Sequence, residues 1–339
     1  MGVFTIDLSR APNVKERKAL ISRVDRLEGG YGESVARVIA STTHLLGGKG
    51  PLASKGFRVR PAFSYKATPP PGDFSDRKVP SHDLRPPATR ISSSQGSTLR
   101  LYLMSIAIAQ MGKTAGGTAG SLPIIGEAEK DKDLLGLTDI VATNAVKTQE
   151  KNHYLHARDK RARSIRNSLT TLSNAGLVDL GSKPGGGTDF ENYTLLDETG
   201  GSVIEPSVYK VPRPHDVTIT LPPGFITKSW LHVLEDSEIT LLLMIACGLR
   251  SLSGTGVAIS GEDRVLHYGI GPDTYARARK TLEWFGLIDV TESDRHRDGR
   301  TEGDKPHQLH RFAIIPSGFD HEALTTAKTA ITEQLARRQ

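Results

Sequence analysis

Far apart in the chain, "SLTTLSNAGLVDL" and "RKTLEWFGLIDV" bring a helical pattern to the same kind of end. In the first, Ala162, Ile165, Leu169 and Leu172 recur with the spacing of one buried helix face. In the second, Tyr275, Ala278, Leu282 and Phe285 do the same. Gly176 and Gly286 then stop each helix, because a left-handed residue after the last turn costs glycine least. "LVDL" and "LIDV" follow at once, leucine and β-branched residues around an aspartate, and predict a strand. A helix that must turn straight into a strand, twice, restricts the chain to a repeated helix-plus-hairpin plan.

The flanking sequence repeats as well. Each unit opens with a run apolar nearly all round, "STLRLYLMSIAIAQM" and "DSEITLLLMIACGL", which predicts a buried helix. Asp236 or Ser237 is the expected cap of the second. The middle helices are expected in "LTDIVATNAVKTQEK" and in "SGEDRVLHYG", the latter capped by Ser260. After the predicted strand each unit has a glycine-containing polar loop and a second strand: "GSKPGGGTDFEN" then "YTLLDE", and "SDRHRDGRTEGDKPHQ" then "LHRFAII". Three helices followed by a β-hairpin resemble the winged helix-turn-helix superfamily, over roughly residues 97–198 and 217–317. The resemblance implies a mainly α fold with small β-hairpins (α+β), built as two tandem winged-helix domains. It also implies a third helix that enters the DNA major groove and a wing that touches backbone. The tandem arrangement resembles that of plasmid replication initiators. Here, however, the units are joined by a proline-broken segment, "EPSVYKVPRPHDVTITLPPG", so a transcription regulator is equally admissible.

The rest of the chain divides by composition. Residues 1–46 carry helical periodicity, broken at "GGYG". Residues 47–96, with "KATPPPGDFSDRKVPSHDLRPPATR", have no periodic apolar set and are expected to be a proline-rich basic linker, largely disordered. A second linker is expected over 199–216, and a helix or tail over 318–339. No apolar run approaches the roughly 18 residues of a membrane helix, and "MGVFTIDLSRAPNVKERK" lacks the apolar core of a signal peptide. Gly2 invites a myristoylation reading that Asp7 does not fit. The single Cys247, inside "LLLMIACGL", excludes an internal disulfide and reads as buried filler. A cytoplasmic, nucleoid-associated protein is expected, with no cofactor.

"AIAQMGKT" matches the loose form of a nucleotide-hydrolase phosphate loop at Ala107–Thr114. That loop needs a strand before it and a helix after it. Here a helix-length apolar run precedes it, and "AGGTAGSLP" follows. His153 and His156, and His296, His307 and His310, lack the rigid third and fourth ligands that zinc requires. No nucleophilic or paired-carboxylate arrangement stands in a convincing context, so a non-catalytic protein is expected.

Charge then selects the partner. The net charge is +6 and the isoelectric point about 9.3, which favour a polyanion. The densest basic segment lies opposite the greasy face of the helix before "GLVDL". Lys160, Arg163, Asn167 and Thr170 form its stripe, Arg166 flanks it, and Lys147, Lys151, Arg158 and Arg161 lead in. Arginine can pair with a guanine edge and asparagine with adenine, and the remaining cations can neutralise phosphates. Lys183 sits in the first wing. The second unit offers Arg277 and Lys280 on its third helix and Arg295, Arg297 and Arg300 in its wing, diluted by Asp294, Asp298, Glu302 and Asp304. Trp284 falls at the exposed end of that helix and suits a contact with another part of the chain, a protein partner or self-association. Double-stranded DNA is the expected partner. The competing expectation is a winged-helix interaction scaffold using Trp284 and the flanking "FITKSWLHVLE".

Overall fold

The computed structural model describes residues 6–43, 45, 52–70, 78–93, 96–127, 134–145, 148–150, 153–201, 207–249, 256–292 and 309–337. The protein is mixed α+β. Helix α1 (Val14–Glu28) starts where Asn13 and Glu16 exchange side-chain and backbone hydrogen bonds, and Gly29 separates it from α2 (Gly30–Thr42). Next come α3 (Leu52–Lys55), strand β1 (Phe57–Val59) and α4 (Pro87–Arg90). The first repeated unit contains α5 (Thr98–Gly112), α6 (Leu137–Ile140), strands β2 (Thr148–Glu150) and β3 (His153–Leu155), α7 (Ala157–Asn174), β4 (Val178–Ser182) and β5 (Thr188–Leu195). Strand β6 (Ile219–Leu221), α8 (Gly224–Thr227) and α9 (Trp230–Val233) lead into the second. That unit holds α10 (Asp236–Gly248), β7 (Val257–Ala258), α11 (Gly261–Leu266), α12 (Pro272–Trp284), β8 (Ile288–Thr291) and β9 (Arg311–Ile314), and α13 (Ala323–Ala336) closes the chain.

The second unit runs helix, strand, helix, helix, strand, strand, with the sheet ordered β7-β9-β8. Gly286 takes a φ of 68°, as the sequence expects of a helix stop, and Gly176 does the same in the first unit. Ser260 caps α11, its hydroxyl accepting from the Asp263 amide. The cap of α10 is Glu235, one residue ahead of the expected Asp236 or Ser237.

The first unit also passes through three helices into a hairpin but departs from the second in two places. The expected middle helix is cut to Leu137–Ile140, and the antiparallel pair β2–β3 occupies part of the run. Val141, Thr143 and Thr148 are β-branched and resist a helix there. The expected linker 199–216 is also part of the fold. Tyr209 and Val211 are buried, and residues 207–211 pair with Leu195–Asp197 on one side and with 116–118 on the other. This segment stands between residues 116–118, after α5, and the end of β5, where the second unit pairs β7 directly with β9.

The larger correction concerns residues 47–96. A largely disordered linker is expected, yet Leu52, Phe57, Val59, Phe63, Ala88 and Ile91 are buried in the common core. Strand β1 pairs antiparallel with β6, Phe57 opposite Leu221 and Val59 opposite Ile219. The side chain of Gln110 in α5 satisfies the other edge of β1, accepting from Arg58 N (3.0 Å) and donating to Arg58 O (2.6 Å). Arg58 donates in turn to the carbonyls of Pro212, Arg213 and Asp216. Composition hides this because the few apolar residues are spread among prolines and act singly. Residues 71–77, which include the end of the "PPP" run, lie outside the described residues.

A buried ionic network joins the parts. Arg23 of α1 grips Glu238 with both guanidinium nitrogens (2.6 and 2.8 Å) and also donates to Val233 O. Arg100 of α5 pairs with Asp236 (3.0 Å) and donates to Leu234 O (2.6 Å). All four side chains are less than a tenth exposed. Burial works against the Arg23 charge, but Glu238 more than offsets it and the guanidinium pKa is raised. Burial raises the Asp236 carboxyl in spite of Arg100. Beside this network His232 is buried, and burial first, then Arg100, pulls its pKa down to about 3. Its carbonyl accepts from the Tyr31 hydroxyl (2.6 Å).

Two outcomes are expected. Phe57→Ala should lower stability by about 3–5 kcal/mol in denaturant titration, because it empties a core site, whereas a residue in a disordered linker would leave the midpoint unchanged. His232 stays neutral when folded and protonates near its ordinary value when unfolded, so its contribution is present at pH 7 and is lost as the pH falls below about 6.5. The stability gap between His232→Leu and wild type should therefore move by about 2 kcal/mol in favour of the variant between pH 7 and pH 5. A constant gap would show that His232 titrates normally.

Candidate nucleic-acid interface

Helix α7 is amphipathic by sequence, and its docking follows the apolar stripe. Ala162, Ile165, Leu169 and Leu172 are buried against the unit's core. Ser168, also buried, bonds Ser97 (2.9 Å) and Thr98 (3.3 Å) at the start of α5. Arg90 of α4 caps the far end, donating to Ala175 O (2.6 Å) and to Gly200 O. Gly176 lies so close to Gly201 that an added Cβ would sit 2.7 Å from its amide nitrogen. The helix is thus fixed on one face and at its C-terminus.

The opposite face is open. Arg158, Arg163, Arg166, Asn167 and Thr170 are exposed, while Lys160 and Arg161 are half-buried. Thr170 donates its hydroxyl proton back to Arg166 O (3.1 Å), which leaves it an acceptor towards a ligand. The exposed stripe runs one turn beyond the residues expected to form it. Asn174 and Thr171 are exposed too, and Asn174 continues the period of Arg163, Asn167 and Thr170. Asp159 in the first turn is the only carboxylate on α7. The helix is about 27 Å long, enough to follow a groove.

Beside α7, strands β4 and β5 form the antiparallel hairpin expected as the first wing, with a register shift between Leu180 and Gly181. Its tip is Lys183 to Gly187, closed by Lys183 N to Gly187 O and Gly186 N to Lys183 O (both 3.0 Å). Gly185, Gly186 and Gly187 all have positive φ and nothing near a would-be Cβ, so the tip is a thin, exposed backbone loop carrying Lys183. At its base the Asp189 carboxyl is held below its ordinary range, first by the Asn192 side-chain amide and then by the Glu191 N–H.

The second unit differs. Lys280 does not face solvent as expected: it pairs with Glu16 of α1 at 2.7 Å and lies over the Trp284 ring. Trp284 is half-buried, packed on the core and covered from within the chain. Arg279 is buried between Glu283 and Glu292. Arg23 of α1 stacks over Phe285 at the end of α12. Only Arg277 of the two assigned helix cations is exposed. The α1 contact could not be read from the sequence, because no local pattern pairs Glu16 with Lys280. "FITKSWLHVLE" is core, with Phe225, Trp230, Leu231 and Val233 buried. Lys147, Lys151, Arg295, Arg297 and Arg300 lie outside the described residues.

The "GKT" match falls at the C-terminal end of α5, where Lys113 caps the helix, Gly116 N donates to Val211 O and Val211 N donates to Gly117 O. Phosphate-binding amides would need a helix N-terminus there. No helix among the described residues is long and apolar enough to cross a membrane. Comparison with protein-family models, with characterised proteins and with solved structures finds no match to this chain.

Glu16→Gln should release Lys280 and lower stability by roughly 1 kcal/mol or less, since the pair is partly solvated. Chemical denaturation with and without 0.5 M salt checks it; a wild-type advantage that survives the salt would contradict a screened surface pair.

Proposed function

We propose that the chain binds double-stranded DNA, reading it with α7 and bracing on the β4–β5 wing, as a replication-initiator-like or transcription-regulatory protein. One observation carries the reading: Arg163, Asn167 and Thr170 stand exposed on one rigid helix face, with Arg166 flanking them and Arg158 exposed in the first turn, next to an open hairpin that carries Lys183. Element order adds support, since each unit passes through three helices into an antiparallel hairpin, and in the second unit β7 joins that hairpin in the order β7-β9-β8. In this reading Arg163 and Asn167 face base edges, because their side chains offer paired hydrogen-bonding groups to guanine and adenine. Arg158, Arg166 and Lys183 neutralise backbone phosphates.

The two units divide the work unequally. With Lys280 held by Glu16 and Arg279 held by two glutamates, α12 has little charge left for phosphates. Each chain therefore carries one main reading head. The rival reading, a protein-interaction scaffold using Trp284 and "FITKSWLHVLE", has less surface to offer, since Trp284 is half-buried and Phe225, Trp230, Leu231 and Val233 are core.

Selection of bound fragments from random duplex DNA, followed by titration at several salt concentrations, tests this. Binding should weaken steeply with salt. Arg163→Ala and Asn167→Ala should each cost about 1–3 kcal/mol of discrimination at one base position, whereas Lys183→Ala should weaken all sequences alike and lower the salt slope by about one. Binding that is unaffected by all three changes, or by salt, would refute the assignment.

A further inference from the structure

Between the segment carrying α4, the start of α10 and the first turns of α12 lies a cleft of about 340 Å³. Its size is at the lower end of small-molecule sites, which run from about 300 to 1,000 Å³. Most of the residues that line it are polar. Glu235, Asp236 and Glu238 line one side, but each already has a guanidinium of its own: Arg26 at 3.5 Å, Arg100 at 3.0 Å and Arg23 at 2.6 Å. The charges of Asp236 and Glu238 are spent inside the protein, and Glu235, partly exposed, is balanced by Arg26.

Two further arginines line the cleft from separate elements, Arg85 before α4 and Arg277 on α12. Neither has a carboxylate within ion-pair distance among the described residues. Arg85 Nε donates to Pro80 O (2.9 Å) and Arg277 Nε to Asp273 O (3.3 Å), so the terminal nitrogens of both have no partner there. Gly269, with φ of 68°, brings the backbone against Arg85 and Thr89; an added Cβ would lie 3.1 Å from Arg85 Cγ and 2.9 Å from Thr89 Oγ1. The wall behind Arg85 is therefore backbone, and the side chain is seated against it. Hydroxyl donors complete the lining. Ser237 and Thr274 make no side-chain hydrogen bond among the described residues, and Ser93 Oγ only accepts, from Gly96 N at 2.7 Å.

Two guanidinium forks and three hydroxyls suit an anion with several acceptor oxygens, and planar forks match phosphate geometry. We propose that this cleft binds the phosphoryl group of a small phosphorylated molecule through Arg85 and Arg277. Such a ligand bridges α4 to α12, and Arg90 of α4 grips the end of α7, so the cleft is joined mechanically to the helix that carries the exposed arginines. The proposal does not depend on DNA binding.

Inorganic phosphate is the probe, titrated into the full chain at constant ionic strength and followed by calorimetry and by broadening of the ³¹P resonance, with acetate and chloride as comparison anions. Phosphate should bind saturably and raise the melting temperature, and acetate and chloride should not. Arg85→Gln and Arg277→Gln should each weaken binding about tenfold or more, the loss of one charge-assisted contact. Arg163→Gln should leave phosphate binding unchanged. Arg277 is exposed, so its variant keeps the test alive if the Arg85 variant fails to fold. The proposal is overturned by absence of saturable binding, by equal binding of acetate, by full affinity in Arg277→Gln, or by a loss confined to Arg163→Gln, which would move the phosphate to α7.

Discussion

Two carboxylates buried at the start of α10 govern how the molecule is assembled. Asp236 and Glu238 lie away from water, where an unpaired charge costs several kcal/mol. Each is answered from a different part of the chain, by Arg100 in α5 and by Arg23 in α1. A buried pair contributes little net energy compared with an apolar substitute, but breaking one is costly because the other charge remains. The N-terminal helix, the first unit and the second unit are therefore mutually obligate. None can leave without stranding an ion.

That constraint explains why two units of similar order have different surfaces. Arg23 fixes α1 over the end of α12, and Glu16, two turns earlier, then reaches Lys280. The outward face of α12 is consumed by the chain itself. Helix α7 is anchored by neutral contacts instead: an apolar stripe, a serine cluster at α5 and backbone carbonyls capped by Arg90. Among the described residues its exposed arginines have no carboxylate within ion-pair distance, so their charge is directed outward. The asymmetry in charge follows from which unit the N-terminal helix covers.

Much of the local architecture was legible. Helix faces at Ala162–Leu172 and Tyr275–Phe285 show in the period of apolar residues, and both glycine stops follow from backbone sterics. The capped α11 and the strands after each glycine could be read the same way. The exposed stripe of α7 could be read because a helix face is fixed once its apolar side is known. The order within 47–96 could not. Phe57, Val59 and Phe63 form no periodic set, and their burial depends on β6 and α5, which lie far away in sequence.

The sequence by itself determined where α7 and α12 stop, which face of each is greasy, and that α7 carries the chain's densest cations, because these depend on neighbours within a few residues. Only the tertiary structure decided which of those cations stay free. Lys280 and Arg277 look alike along the chain, yet one is neutralised by Glu16 and the other opens on a cleft with Arg85. Pairing of charges is a matter of distance in space, and the partners here are separated by hundreds of residues of chain.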